Sequence, residues 1–145
     1  MKIHLDFKVR TQDWCIIKLK DGSKLRVMTI LTAAIKEDDN LTIGTQNVIA
    51  VAYLPESLWG PPSDKRYTPK ELEEAIVEED IEFETEREVW NVYELEDGTV
   101  LSIKPYIVMV SRTKCYSERG EPIYLLNIQP IIKAKRAKSK LIKKR

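Results

Sequence analysis

A mainly β fold made of two tandem repeats, each of about five short antiparallel strands, is predicted by three observations. The chain repeats itself at an offset of 76 residues, its segments alternate apolar and polar residues, and each copy carries an Asp-Gly turn between two such segments.

The repeat is clearest when WCIIKLKDGSKLRV, residues 14–27, is set over WNVYELEDGTVLSI, residues 90–103. Trp14 then meets Trp90, Leu19 meets Leu95, Asp21 meets Asp97, Gly22 meets Gly98 and Leu25 meets Leu101. Extended backward, the offset sets Leu5-Asp6-Phe7 over Ile81-Glu82-Phe83.

Each copy opens on an alternating strand. Ile3, Leu5, Phe7 and Val9 share one face and His4, Asp6, Lys8 and Arg10 the other, the period of a half-buried strand. The second copy turns Ile81 and Phe83 inward and Glu82 and Glu84 outward. A hairpin follows. A two-residue turn on Asp21-Gly22 would set Leu19 against Lys24 and mix the faces. A three-residue loop, Lys20-Asp21-Gly22 with Gly in the left-handed position of a G1 bulge, instead pairs Ile17 with Leu25 and Cys15 with Val27. The same loop in the second copy pairs Tyr93 with Leu101. Register selects the bulge, because a one-residue slip would turn every side chain over.

Two more strands are expected in each copy, at about 29–35 and 46–53 in the first and 106–115 and 123–132 in the second. The last strands align best with Thr45-Gln46-Asn47-Val48-Ile49 over Ile128-Gln129-Pro130-Ile131-Ile132. Five short strands with a tight hairpin in the middle suit a small SH3-like or Sm-like barrel. Whether the copies close as two barrels or merge into one sheet system stays open.

The resulting division is a first β-barrel-like repeat at 1–55, a linker at 56–78, a second repeat at 79–132 and a tail at 133–145. Within the linker, Trp59-Gly60-Pro61-Pro62-Ser63 cannot be a strand interior, since the prolines remove donors and fix the backbone. Thr68-Pro69-Lys70-Glu71 then reads as a capping box that starts a short helix, about 69–79, with a thin apolar stripe of Leu72, Ala75 and Ile76.

A net charge of +1 conceals a division. Acidic residues dominate from Lys70 to Glu88, whereas the last fifteen residues hold eight bases and no acid, leaving −7 on the rest. The bases are Lys133, Lys135, Arg136, Lys138, Lys140, Lys143, Lys144 and Arg145, interleaved with small residues and able to follow a phosphate backbone. They predict a small binding protein that contacts RNA or DNA through this tail and an adjacent barrel face. The tail has no aromatic residue, which predicts charge attraction without base readout. Tyr106, Tyr116 and Tyr124 are candidate stacking faces for unpaired bases. Trp14 and Trp90, matched in both copies, suit a core or rim role, and Trp59 is a candidate anchor for a protein partner unless it tucks the linker against the first copy. The alternative is a protein-interaction or assembly module without nucleic acid, in which the acidic segment 78–88 holds the basic tail of this or a neighbouring molecule.

No enzyme and no cofactor is expected. The third reading, an enzyme that uses carboxylates, predicts a concave site between the halves lined by Asp or Glu. There is one histidine, His4, and no GxGxxG, GxxxxGK[ST] or HExxH pattern. Cys15 and Cys115 have no CxxC partner, so the usual zinc arrangements are excluded; two structural thiols are the simpler reading, with a disulfide between them left open. No apolar run approaches the roughly 20 residues that span a bilayer, and MKIHLDFKVR alternates where a signal peptide would be solidly apolar, so a cytoplasmic location without membrane contact is expected. The 32% of charged residues, with few Asn and Gln, resembles thermophile compositions.

Overall fold

The structure, a computed structural model, describes residues 1–136. In chain order its elements are β1 (Lys2–His4), β2 (Phe7–Thr11), β3 (Cys15–Leu19), β4 (Lys24–Glu37), β5 (Asn40–Tyr53), a 3-10 turn (Glu56–Leu58), α1 (Pro69–Glu74), β6 (Ile76–Glu78), β7 (Phe83–Arg87), β8 (Asn91–Leu95), β9 (Val100–Tyr116) and β10 (Pro122–Lys135). They make two antiparallel sheets of five strands each. One holds β1, β3, β4, β5 and β7, and the other β2, β6, β8, β9 and β10.

Both hairpins have the three-residue loop that register demanded. Cys15 lies opposite Val27 and Ile17 opposite Leu25, while Tyr93 lies opposite Leu101. Leu19 N–H donates to Ser23 O at 2.9 Å and Leu95 N–H to Thr99 O at 2.8 Å, with Gly22 at φ +96° and Gly98 at φ +91°. Only a residue without Cβ adopts that backbone cheaply, which accounts for the Gly in each Asp-Gly pair.

Two expectations fail here. The strands after the hairpins are not short, because β4 and β9 run unbroken for 14 and 17 residues. No turn former separates 24–27 from 29–35, and Pro105 lies just past Ile103, the last β9 residue that β8 pairs. Its missing N–H therefore leaves the β8–β9 ladder intact. Nor does either sheet close into a barrel. The strand that would begin each closure pairs in the other sheet: β2 joins β8, and β7 joins β3.

This exchange is reciprocal to the residue. Phe7 faces Leu95 as Phe83 faces Leu19, and Val9 faces Tyr93 as Thr85 faces Ile17. The chain crosses between sheets at Leu5 and Ile81, both buried, whose N–H groups donate to Ala34 O and Val110 O at 2.8 Å. Charge favours the exchange. Lys8 lies opposite Glu94 and Lys18 opposite Glu84, whereas pairing within each half in the same register would oppose Lys8 to Lys18 and Glu84 to Glu94. Opposite charges across a strand pair stabilise and like charges destabilise, by about 0.2–1 kcal/mol each. Arg10 Nε adds a 2.7 Å bond to Glu94.

The core follows the same logic. One apolar cluster joins Leu5, Leu31 and Ala34 to Tyr93, Leu95, Leu101 and Ile103; the other joins Ile17, Leu19, Leu25 and Val27 to Ile81, Val110 and Tyr124. The first strand's expected face is cut by the crossover, and Ile3 and Val9, read as inward, are 48% and 52% exposed.

Each hairpin tip is tied to the long strand of the other half. Asp21 caps its own turn by accepting from Ser23 N–H, and its carboxylate also receives Arg112 Nη1 and the Tyr124 hydroxyl, both at 2.9 Å. Asp97 does the same with Thr99 N–H and, across the sheets, Lys36 at 3.4 Å.

The capping box forms: Thr68 Oγ1 accepts from Glu71 N–H and Glu71 Oε1 from Thr68 N–H. The helix is shorter than expected. It ends at Glu74 because Ile76 pairs with Thr113 and takes the chain into β6, where an extended backbone suits Ile and Val. Upstream, the Trp-Gly-Pro-Pro arm docks on the loop between β9 and β10, with Gly60 N–H on Gly120 O at 2.9 Å and Ser63 N–H on Ser117 O at 3.0 Å. A Cβ on Gly60 would fall 2.2 Å from the Tyr116 ring. Gly60→Ala is expected to detach the arm and lower stability by about 1–3 kcal/mol in urea titration, the usual overpacking penalty. An unchanged midpoint would refute the docking.

Candidate nucleic-acid interface

Alternation along β9 builds the site. Leu101, Ile103 and Pro105 point into the core, so Ser102, Lys104 and Tyr106 point the other way. On β10 their partners are Lys133, Ile131 and Gln129, which share that outer face, and Lys135 follows opposite Val100. Trp90, just ahead of β8, supplies an indole to the same surface: Lys104 Nζ lies 4.7 Å and Lys133 Nζ 4.2 Å from its ring centre. A cation over an indole face is held by the ring quadrupole, so two ammonium groups converge here instead of dispersing. Glu88 pairs with Lys104. Among the described residues, no ion pair uses Lys133, Lys135 or Arg136. Tyr106 stands at the edge of this cluster, 56% exposed.

The surface is peculiar to the second half. At the corresponding positions of the first sheet stand Trp14, Met28 and, opposite Arg26, Ala50. Lys104 and the outward role of Trp90 were missed in the sequence, where Trp90 read as core or rim. The available signal was the substitution of lysine for methionine at the offset of 76 residues.

The three tyrosines part company. Tyr106 is exposed, Tyr116 is half-buried beneath Gly60, and Tyr124 is buried, its hydroxyl held by Asp21 and Ser23. Burial, with the carboxylate of Asp21 beside it, pushes the Tyr124 hydroxyl well above its ordinary pKa. Its face is therefore not open to a base. Trp59 is 49% exposed, and its arm lies against the second half of the chain, not the first. Lys138, Lys140, Lys143, Lys144 and Arg145 lie outside the described residues.

Four of the seven acids of the segment 78–88 are paired within the described residues. Glu78 binds Arg112, Glu82 binds Lys20 at 3.7 Å, Glu86 binds Lys24 at 3.0 Å and Glu88 binds Lys104. A cleft of about 590 Å³ lies between α1 and the β9–β10 pair. Its lining is apolar, with Leu72, Ile76 and Met109, and the ionisable residues there are Glu73 and Glu79, a poor fit to phosphate. Among the described residues, no group of three or more His, Cys, Asp or Glu is placed to hold a metal. Cys15 and Cys115 are buried free thiols, and burial raises the pKa of Cys15. Within those residues no helix is long and apolar enough to cross a membrane. Comparison with protein-family models, with curated proteins and with solved structures gives no significant match.

Proposed function

We propose that this chain is a non-enzymatic binding protein that holds an unpaired stretch of RNA or DNA on the outer face of β9–β10, with the basic C-terminal segment following the phosphates. The observation that carries the reading is the convergence of Lys104 and Lys133 on Trp90, beside exposed Tyr106, where the chain leads into its basic residues. Aromatic faces amid cations serve single strands: bases stack, phosphates pair, and sequence matters little. We read the two halves as copies of one unit, of which the second acquired this surface.

Deleting residues 133–145 is expected to flatten the salt dependence of single-strand binding, since each lost phosphate contact removes roughly 0.7 from the slope of log K against log salt. Tyr106→Ala should cost about 1–3 kcal/mol of affinity without changing that slope, because a stacking contact releases no counterion. Fluorescence titration with a labelled oligonucleotide across a salt series reads both quantities. An unchanged slope after the deletion sinks the proposal. The competing reading, a protein-assembly module joined through 78–88 and the tail, would have to rest on Glu79, Asp80 and Glu84, since Glu78, Glu82, Glu86 and Glu88 are already in ion pairs.

A further inference from the structure

We propose that the outer edge of β5 is where a second copy of this chain docks, strand against strand and antiparallel. The inference is independent of the nucleic-acid reading. β5 pairs with β4 along one side, and among the described residues no strand pairs with the other. Such an edge presents a row of backbone donors and acceptors to any strand that fits, and proteins that leave it unused block it with proline or charge.

The corresponding strand of the other sheet carries those blocks. β10 has Pro122, Pro130, Lys133 and Lys135. β5 has none, since from Leu41 to Tyr53 there is no proline and no charged side chain. The core is also unfinished at this edge. Ile49 lies opposite fully buried Val27 and so shares its inward face, yet Ile49 is 40% exposed. An added strand would cover it.

The lack of charge also selects the occupant. In a two-fold antiparallel pair residue i meets residue j of the copy and j meets i, so a strand without charge opposes no like charges wherever the axis falls. The run of Thr, Gln, Asn, Val, Ile and Ala in β5 meets that condition. A charged or proline-rich peptide would find no complement on it.

Sedimentation equilibrium of the full chain across micromolar concentrations tests the proposal, at low and at molar salt. A dimer of equal strength at both salts is expected, whereas association through acidic segment and basic tail would weaken with salt. With the two-fold axis at Asn47, the middle of the strand, position 46 meets position 48 of the copy, so Gln46→Lys with Val48→Lys sets cation against cation on the outer face of β5. It is expected to raise the dimer dissociation constant about tenfold or more. Gln46→Glu with Val48→Glu should do the same, and mixing the two variants should restore dimers, with near-UV circular dichroism reporting that each is folded. Wild-type protein that stays monomeric throughout, or a dimer indifferent to both variants, overturns the proposal.

Discussion

Cut between Asp64 and Lys65, the chain is expected to yield two fragments that do not fold alone and regain a cooperative transition when mixed. Each apolar cluster draws side chains from both fragments. Fragment 1–64 loses Ile81, Val110 and Tyr124 from around Ile17 and Leu19, and fragment 65–145 loses Leu5 and Leu31 from around Tyr93. Burial of one large apolar side chain is worth about 1.5–3 kcal/mol. Three of them amount to much of the roughly 5–15 kcal/mol that holds an ordinary domain together. Exchange between two copies of one fragment is no remedy, because Lys8 would then oppose Lys18, or Glu84 oppose Glu94. Dispersed NMR spectra from either fragment by itself would contradict this expectation, and so would failure of the mixture to recover the native spectrum.

Replacing Asp21 by alanine is the second large effect, with about 3 kcal/mol of stability lost. The carboxylate is a shared acceptor for Ser23, Tyr124 and Arg112, and its side chain is only 5% exposed. Its removal takes one of two acceptors from the Tyr124 hydroxyl, which keeps Ser23, and one of two carboxylates from Arg112, which keeps Glu78, so a largely buried pair is broken from one side. Asp97→Ala should cost less, about 1 kcal/mol, because Lys36 is one-third exposed and no tyrosine depends on that carboxylate. Urea titrations of both variants check the order, and equal losses would refute it. A pH dependence follows. Burial by itself would raise the Asp21 carboxyl, but the bonds from Ser23, Tyr124 and Arg112 together hold it below its ordinary value. The unfolded chain thus binds this proton more readily than the folded one. The stabilisation is complete above the ordinary carboxyl pKa of about 4 and fades as pH falls through the lower folded value. The alanine variant should lose that part of its acid sensitivity.

What could be read in advance was what is settled over a few residues. The loops at Gly22 and Gly98, the register of Ile17 with Leu25, and the Thr68 capping box all depend on side chains within a turn or two of one another. The partners of β2 and β7 depend on residues about eighty positions away, and an alternating pattern states which face is buried without stating against what. Their signal lay in charge, with lysine at positions 8 and 18 where glutamate stands at 84 and 94, and it acquires meaning only once pairing is considered. The length of β9 was hidden because Pro105 reads as a strand breaker until the end of β8 is known to fall before it. At the candidate site, Lys133, Lys135 and Arg136 were visible as composition, but Lys104 and Trp90 became part of it only when β9 and β10 paired.

The strand exchange also sets a clock for the newly made chain. When β2 and β3 leave the ribosome, β8 and β7, the strands that complete their ladders, are still untranslated. At about 5–20 residues per second, roughly eighty residues take about 4–16 seconds to appear. Through that interval Ile17, Leu19 and the outer edge of β3 stand without cover, the kind of surface that chaperones bind. Final folding therefore waits for the second half, and synthesis that stalls at the linker leaves β2 and β3 without the strands that complete their ladders.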